Sequence, residues 1–329
     1  MSVKWGVMST AGIATKVGSA IDRATNAELL AVASRSKVRG EAWGKEHGIE
    51  RSYGDYDALL ADPEIQAVYI PLPPSMHAEW AIKAAKAGKH VLSEKPLTVD
   101  VAEASAVLDA CKNNGVQLMD GVMWVHHDWT KKAKALRNAG KLGELRRVTA
   151  SFSFYWGAEV PLDNIRAQKK MGGGALGDLG YYCIRAILWA FEEMPTAVFA
   201  RGRYANDVDV EVSGMLYFSD DRIASFDCGF TIATRLSLEL AGTESSFRID
   251  PFVLPSSEEG ASISISKDIG EWERHDVGPC VQEVNMIECF SGIVISGTLD
   301  PAWPQAALDT VRVCCALAES AESGREVQL

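Results

Sequence analysis

Residues 3–23, VKWGVMSTAGIATKVGSAIDR, decide the fold that the sequence predicts. An apolar strand is expected over Val3–Met8, and it leads through a turn of small residues into a helix over Gly12–Arg23. The same succession of short apolar strand and helix recurs up to about Trp124. Such a pattern is typical of a parallel sheet covered by helices on both faces. The sequence therefore predicts a doubly wound N-terminal domain, whose ligands bind outside the carboxyl ends of the strands.

The pattern changes after residue 124. Polar and apolar residues alternate in Arg146–Tyr155, where Val148, Ala150 and Phe152 share one side, and similar runs follow without helices between them. Consecutive alternating strands indicate a mainly antiparallel sheet with one open face. We expect helices over Ala175–Ala190 and Gln282–Ile295 to cover the other face.

These patterns together predict an α/β protein of two domains. Residues 1–124 form a dinucleotide-binding Rossmann domain, and residues 125–329 form an α+β domain on a large, open, mainly antiparallel sheet. The second domain is expected to bind substrate and a second copy of the chain. The amphipathic segment 305–320 is expected to form a C-terminal helix that packs back on the first domain.

Composition excludes several classes of function. The net charge of −11 disfavours nucleic-acid binding, which needs a basic surface. The seven cysteines are scattered without a CxxC pair, so we expect buried free thiols and no metal site. The chain shows neither a signal peptide nor 18 consecutive apolar residues, which predicts a cytoplasmic protein that does not enter a membrane.

The turn after the first strand is a candidate phosphate site. In Ser9–Ala14 the small residues Ser9, Ala11 and Ala14 stand where the Rossmann fingerprint has three glycines or small residues. The alternative is an ordinary strand-to-helix turn. Because a helix N-terminus in the first βα unit attracts phosphate, we predict cofactor contacts by Ser9, Thr10, Ala11, Gly12, Ile13 and Ala14.

The end of the second strand indicates which dinucleotide binds. It carries Arg35 between Ser34 and Ser36, with Lys37 next, where an NAD-binding domain has an acidic residue. A guanidinium group with neighbouring hydroxyls suits a 2′-phosphate. We therefore predict NADP, with NAD still possible; the alternative is an exposed arginine that stacks on adenine.

Two further motifs carry candidate catalytic groups. SEKP, residues 93–96, places Lys95 at the end of a strand, and GGGALGDLGYY, residues 172–182, begins a helix with Asp178 and Tyr182 one turn apart. A lysine, a tyrosine and a carboxylate beside a dinucleotide fold predict an acid/base group. The alternatives are a surface lysine and a helix start with a capping aspartate.

The sequence resembles the Gfo/Idh/MocA oxidoreductase family over nearly its full length. The similarity lies in residues 5–14 (WGVMSTAGIA), 71–81 (PLPPSMHAEWA), 118–124 (LMDGVMW) and 163–166 (DNIR), together with the two motifs above. Within the family it is most similar to NADP-dependent D-xylose dehydrogenases and dimeric dihydrodiol dehydrogenases. The resemblance implies hydride transfer between NAD(P) and a hydroxyl or carbonyl carbon of a sugar or cyclic diol, for example oxidation of an aldose at C1 to a lactone.

The resemblance also implies roles for particular residues. Lys95 and Tyr182 would be the acid/base pair, with Asp178 as the third catalytic residue. Further cofactor contacts are expected from Leu72, Pro73, His77, Glu94 and Lys95, and substrate contacts from Lys95, His127, Trp156, Arg166, Asp178 and Tyr182. The sequence departs from the family pattern at Pro74, at Val125 and at the missing fingerprint glycines.

Two other functions remain open from the sequence. One is a non-catalytic NADP-binding sensor, and the other is an NAD-dependent glycosidase of the same fold. The expected partners are a small sugar or cyclic diol and a second copy of the chain, as a homodimer or a dimer of dimers through apolar residues of the open sheet.

Overall fold

The computed structural model describes residues 2–157, 161 and 163–329. Up to residue 138 the elements are β1 (Val3–Met8), α1 (Gly12–Arg23), β2 (Ala27–Ala33), α2 (Lys37–Glu46), β3 (Arg51–Tyr53), α3 (Tyr56–Leu60), β4 (Ala67–Ile70), α4 (His77–Lys86), β5 (His90–Ser93), α5 (Val101–Asn113), β6 (Leu118–Asp120) and α6 (Asp128–Asn138). The later elements are β7 (Leu145–Tyr155), α7 (Tyr181–Phe191), β8 (Ala197–Ala205), β9 (Val208–Tyr217), β10 (Ile223–Gly229), β11 (Thr231–Gly242), β12 (Ser246–Ile249), β13 (Ala261–Asp268), β14 (Glu271–Val277), α8 (Gln282–Ser296), α9 (Ala302–Ser323) and β15 (Val327–Gln328).

The chain forms two compact units. The first unit contains the chain up to His126 and residues 283–308, and the second contains residues 127–282 and 309–329. The first crossing between the units thus lies two residues after the predicted boundary at 124. The return of residues 283–308 to the first unit was not predicted.

The sheet of the first unit has the strand order β3-β2-β1-β4-β5-β6, and all of its pairings are parallel. This is the order of a doubly wound dinucleotide-binding fold, in which the direction of winding reverses between β1 and β4. The predicted fold of the N-terminal domain is confirmed. The segments after β1, β4 and β5 lie at one edge of the sheet, where ligands of such folds bind.

Helix α8 covers the sheet of the first unit. Its residues Met286 and Phe290 are fully buried in the same core as Trp5, and the Trp5 ring lies 5.1 Å from that of Phe290. The Trp5 indole Nε1 donates to the Ser291 hydroxyl at 3.1 Å. The prediction that this helix covers the second sheet is therefore wrong. Its apolar stripe shows that one face is buried, but the stripe does not specify which sheet buries it.

The sheet of the second unit has the order β14-β13-β12-β11-β7-β10-β9-β8-β15 within the described residues, and β7 with β10 is its parallel pair. Val148, Ala150 and Phe152 are buried as predicted, and α7 packs against β7, β10 and β11. The mainly antiparallel sheet is confirmed. Strand β14 was missed because its sequence, EWERHDV, is largely exposed and lacks an apolar alternation.

The C-terminal helix α9 is shared between the units. Its first residues, up to Leu308, belong to the first unit, whereas the remainder belongs to the second. In the second unit the Ser320 hydroxyl accepts a hydrogen bond from the main-chain N–H of Ala200 on β8, at 2.9 Å. The prediction that helix 305–320 packs back on the first domain stays a prediction. The apolar stripe of a helix shows that one face is buried, but it does not determine which element covers that face.

The open face of the second sheet carries polar and apolar side chains: the half-buried Phe199, Met215, Tyr217 and Ile223 lie on it beside a polar region. On the side that alternates with Val148, Ala150 and Phe152, the hydroxyls of Ser151 and Ser237 lie 2.7 Å apart, and Arg235 forms an ion pair with Asp227. Dimerisation through apolar residues of this face stays a prediction.

Candidate functional site

The turn between β1 and α1 has the features of a phosphate site. Ser9, at the first fingerprint position, has φ 156°, and its hydroxyl accepts from the N–H of Ala11 at 3.1 Å. Ala11 precedes α1 without a side-chain capping bond, and a Cβ on Gly12 would meet no described atom within 4 Å. The N–H groups at the start of α1 are thus not capped by a side chain, which suits an anion. Ala14 is fully buried, so its small size serves helix packing.

The end of β2 carries positive charge. Arg35, Lys37 and Arg39 are exposed, and we call them the basic cluster. The buried Ser34 hydroxyl accepts from the N–H of Ser36 at 3.3 Å, and that of Ser36 caps α2. Burial raises the pKa of Tyr56 on α3, and the charges of Arg35 and Arg39 oppose this shift. The basic cluster and the two hydroxyls fit a 2′-phosphate. Arg39 was not among the residues predicted from the sequence.

The SEKP segment follows β5 and holds a buried carboxylate. Glu94 is 7% exposed and accepts from the Tyr69 hydroxyl at 2.6 Å and from the N–H of Lys95 at 3.2 Å. Burial raises the pKa of Glu94, while the Tyr69 hydrogen bond and the Lys95 charge oppose that shift. Each of the two carboxylate oxygens thus accepts a hydrogen bond that stabilises the conformation of this segment. Lys95, half-buried, precedes Pro96 through a cis peptide bond.

His77 connects two loops of the first unit. The imidazole is fully buried, with Nδ1 2.8 Å from the carbonyl oxygen of Pro96 and Nε2 2.7 Å from that of Leu72. The ring thus holds the loop after β4 against the loop after β5. A cofactor contact by His77 stays a prediction. The side chain of Leu72 is also buried, whereas Pro73 is half-buried.

The helix that carries Asp178 and Tyr182 begins in an unusual way. Leu176–Gly180 forms a turn of π-helix, and regular α7 begins at Tyr181. A Cβ on Gly173 would lie 2.5 Å from the carbonyl oxygen of Arg166, so only glycine lets this turn pack against the preceding segment. Single π-turns are frequent at functional sites.

The structure pairs two of the predicted residues directly. Arg166 donates from Nε to Oδ2 of Asp178 at 2.5 Å. The Asp178 side chain is 14% exposed and that of Arg166 is 42% exposed. The sequence analysis assigned both to the substrate but did not predict their ion pair. Tyr182 is half-buried, and its ring centroid lies 5.7 Å from that of Phe152.

Two other predicted substrate residues have different surroundings. His127 is fully buried, and its Nδ1 accepts from the N–H of Trp129 as the cap of α6. A substrate contact by its side chain stays a prediction. Trp156 is half-buried and packs edge-on against Phe154 and Phe230, with centroids 5.9 and 5.5 Å away.

Lys95 lies in the first unit, and Asp178 and Tyr182 lie in the second. Their joint action stays a prediction. Among the described residues no cluster of three potential metal ligands occurs, and no helix there has the length and apolar character needed to cross a membrane. All seven cysteines are free thiols, and burial raises the pKa of Cys111 to about 12.

Comparison with known proteins defines the class. Residues 3–122 match the model of the Gfo/Idh/MocA oxidoreductase family with an NAD-binding Rossmann fold, and residues 130–248 match the C-terminal domain model of the same family. The chain therefore belongs to the Gfo/Idh/MocA family of oxidoreductases, as the sequence predicted.

Individual relatives are similar over nearly the whole chain. An uncharacterized oxidoreductase of Rhizobium meliloti is 36% identical, covering 98% of both chains. D-xylose 1-dehydrogenase (NADP(+)) 2 of Haloferax volcanii is 33% identical, covering 99% of both. The structure of KijD10, a 3-ketoreductase from Actinomadura kijaniata in complex with NADP and TDP-benzene, has a TM-score of 0.91 at 29% identity and covers 97% of this chain and 98% of its own. Other solved structures of KijD10 carry a substitution of one tyrosine or of one lysine.

Proposed function

We propose that this protein transfers a hydride between NADP and the carbon of a hydroxyl or carbonyl group in a sugar or cyclic diol. The observation that carries the proposal is the position of Lys95 directly after β5, at the ligand-binding edge of a doubly wound sheet. The phosphate-type turn after β1 and the basic cluster after β2 support NADP as the cofactor. The NADP-dependent dehydrogenase and ketoreductase among the relatives support the same assignment.

In this proposal the cofactor supplies the hydride acceptor, or the donor in the reverse direction. Tyr182 takes the proton of the substrate hydroxyl while the C–H bond breaks, so the alcohol becomes a carbonyl. A free tyrosine has a pKa near 10, and a neighbouring ammonium group such as that of Lys95 favours the phenolate. Asp178, held by Arg166, orients the hydroxyl groups of the substrate.

The KijD10 variants concern the same two residue types, a tyrosine and a lysine, which supports these roles. Oxidation of an aldose at C1 to a lactone is the finer form of the proposal, because a D-xylose 1-dehydrogenase is among the relatives. A dTDP-linked keto sugar is a second candidate substrate class, because dTDP-3,4-didehydro-2,6-dideoxy-alpha-D-glucose 3-reductases are among the relatives.

The test is a panel of free aldoses, inositols, cyclic diols and a dTDP-linked keto sugar, followed by nicotinamide absorbance with NADP and with NAD. Tyr182→Phe and Lys95→Ala are expected to lower kcat by roughly 10²- to 10⁴-fold, the usual contribution of acid/base catalysis. NADP affinity is expected to stay unchanged in Tyr182→Phe. Tyr217→Phe on β9 is the matched control and is expected to keep full turnover.

Three outcomes contradict the proposal. Full turnover by Tyr182→Phe would refute its acid/base role. Binding of NADP without turnover of any panel member would indicate the sensor, and cleavage of glycosides without net NADPH would indicate the glycosidase.

We also propose, from the open sheet, that the protein forms a homodimer or a dimer of dimers through the second unit. Because this face carries the half-buried Phe199, Met215, Tyr217 and Ile223 beside ion pairs such as Arg235–Asp227, the interface is expected to have an apolar part next to a polar one. Sedimentation as a monomer at micromolar concentration would contradict this assembly. A cytoplasmic location stays a prediction.

A further inference from the structure

A carboxylate on β9 faces the start of the helix that carries Asp178 and Tyr182. Oδ2 of Asp209 accepts from the main-chain N–H of Leu176 at 2.6 Å. The N–H groups of Leu176 and Ala175 both lower the pKa of this carboxyl, whereas its burial, the larger effect, raises it. Asp209 belongs to the second unit, like the helix it contacts.

This contact takes the place of an N-terminal capping bond, which the residue at the start of the helix does not provide. Ala175, at the N-cap position, makes no side-chain capping bond. Unpaired N–H groups at a helix start cost free energy, and a carboxylate there also complements the helix dipole. The residue that satisfies these groups therefore comes from a strand 33 positions further along the chain.

Gly174 makes the approach of Asp209 possible. It has φ 127°, which favours glycine, and a Cβ at this position would overlap Oδ1 of Asp209. On the other side of the turn, Gly173 packs against the carbonyl groups of Ile165 and Arg166. The glycine run thus lies between Asp209 and the segment that supplies the Arg166 side chain to Asp178.

We propose that Asp209 is a positioning residue for the reaction: it fixes the π-turn at Leu176–Gly180 and thereby the positions of Asp178 and Tyr182. This inference rests on the proposed function. Without the carboxylate, the N–H groups of the turn lose their acceptor. The backbone of the turn then changes its conformation, and Asp178 moves with respect to Arg166.

The experiment compares Asp209→Ala, which removes the acceptor, with Asp209→Asn, which keeps one acceptor oxygen and nearly the same shape. Asp207→Asn is the matched control, since Asp207 lies two residues away, is exposed and has φ 63°, which asparagine tolerates. The measurements are deuterium exchange of the amides of residues 175–182, the NADP dissociation constant, and kcat.

Asp209→Ala is expected to speed exchange of these amides about 5- to 30-fold, the effect of a lost helix cap. We expect kcat to fall by a similar factor, and the NADP dissociation constant to change less than about twofold, because the predicted cofactor contacts lie in the first unit. Asp209→Asn is expected to recover part of both losses, and Asp207→Asn is expected to change neither.

The proposal is overturned if exchange over residues 175–182 does not change, or if it accelerates while kcat stays at the wild-type value. A loss of NADP affinity as large as the loss of kcat would also overturn it, because that result indicates general damage. Failure of the proposed function has a different signature: full turnover by Tyr182→Phe. The exchange data on Asp209 are independent of that result.

Discussion

Arg166 donates from its Nε to Oδ2 of Asp178 across 2.5 Å, and this ion pair joins the DNIR segment to the π-turn before α7. Asp178 is nearly buried, so removal of the guanidinium takes a charged donor away from a carboxylate with little access to water. Arg166→Ala is expected to lower kcat/KM roughly 10- to 100-fold, the value of a hydrogen bond to a charged group. Arg166→Lys keeps the charge and is expected to recover part of this loss. Equal steady-state kinetics for Arg166→Ala and the wild type would show that the pair has no role in the reaction.

The basic cluster makes a prediction about cofactor choice. Arg35→Ala is expected to raise the dissociation constant of NADP roughly tenfold or more, because a guanidinium–phosphate bond is lost, and to leave that of NAD unchanged. Lys45→Ala is the matched control, since it removes one positive charge from the exposed surface of α2, the helix that follows Arg35. Fluorescence titration with both cofactors provides the measurement. An equal loss for NADP and NAD would contradict the 2′-phosphate site.

Gly12 distinguishes a phosphate site from an ordinary turn. A Cβ there meets no described atom within 4 Å, and alanine in a helix is more stable than glycine by about 0.5–1 kcal/mol. Gly12→Ala is therefore expected to keep or raise the melting temperature while it weakens cofactor binding, since the methyl group occupies space next to the phosphate. The control is Gly278→Ala, in the second unit, where a Cβ also meets no described atom. Unchanged cofactor affinity in Gly12→Ala would exclude close approach of a ligand at this position.

The buried pair of Tyr69 and Glu94 makes stability depend on pH. Burial raises the pKa of Glu94, and the Tyr69 hydroxyl opposes that shift by donating to the ionised form. Tyr69→Phe removes this donor, so the pKa of Glu94 rises further and the ionised protein is destabilised by about 1–3 kcal/mol. The loss is fully present above the pKa of Glu94 and disappears as the pH falls and the carboxyl takes up a proton.

Urea unfolding of Tyr69→Phe at pH 7 and at pH 4 checks this dependence, with Tyr217→Phe as the control. The difference from the wild type is expected to be larger at pH 7. A loss of equal size at both values would mean that Glu94 does not take up its proton between them.

Much of the first unit could be predicted from the sequence. The bounds of β1 and α1 agree with the prediction, because buried parallel strands are short apolar runs and the helices between them have one apolar face. The mainly antiparallel sheet followed from the alternation in β7. Both patterns report local burial, and local burial is set by the side chains of the element itself.

The partners of the helices could not be predicted in this way. Phe290 on α8 packs in the core of Trp5, and Ser320 on α9 bonds to the second sheet, although both helices have the same kind of apolar stripe. The sequence likewise indicated His77 and His127 as polar candidates for ligand contacts. The bonds that join His77 to Pro96 and Leu72, and His127 Nδ1 to the N–H of Trp129, could not be predicted, because only the coordinates show these partners.

The sequence alone determined the fold class, the family and the residue types of the candidate site, because these depend on periodicity and on short motifs. The tertiary structure decided which groups hold those residues in place: Arg166 on Asp178, Tyr69 on Glu94, and Asp209 on the start of the helix that carries Tyr182. These contacts join residues 12, 25 and 33 positions apart in the chain. No repeat or spacing in the sequence encodes such pairs, since they form only when separate elements pack together.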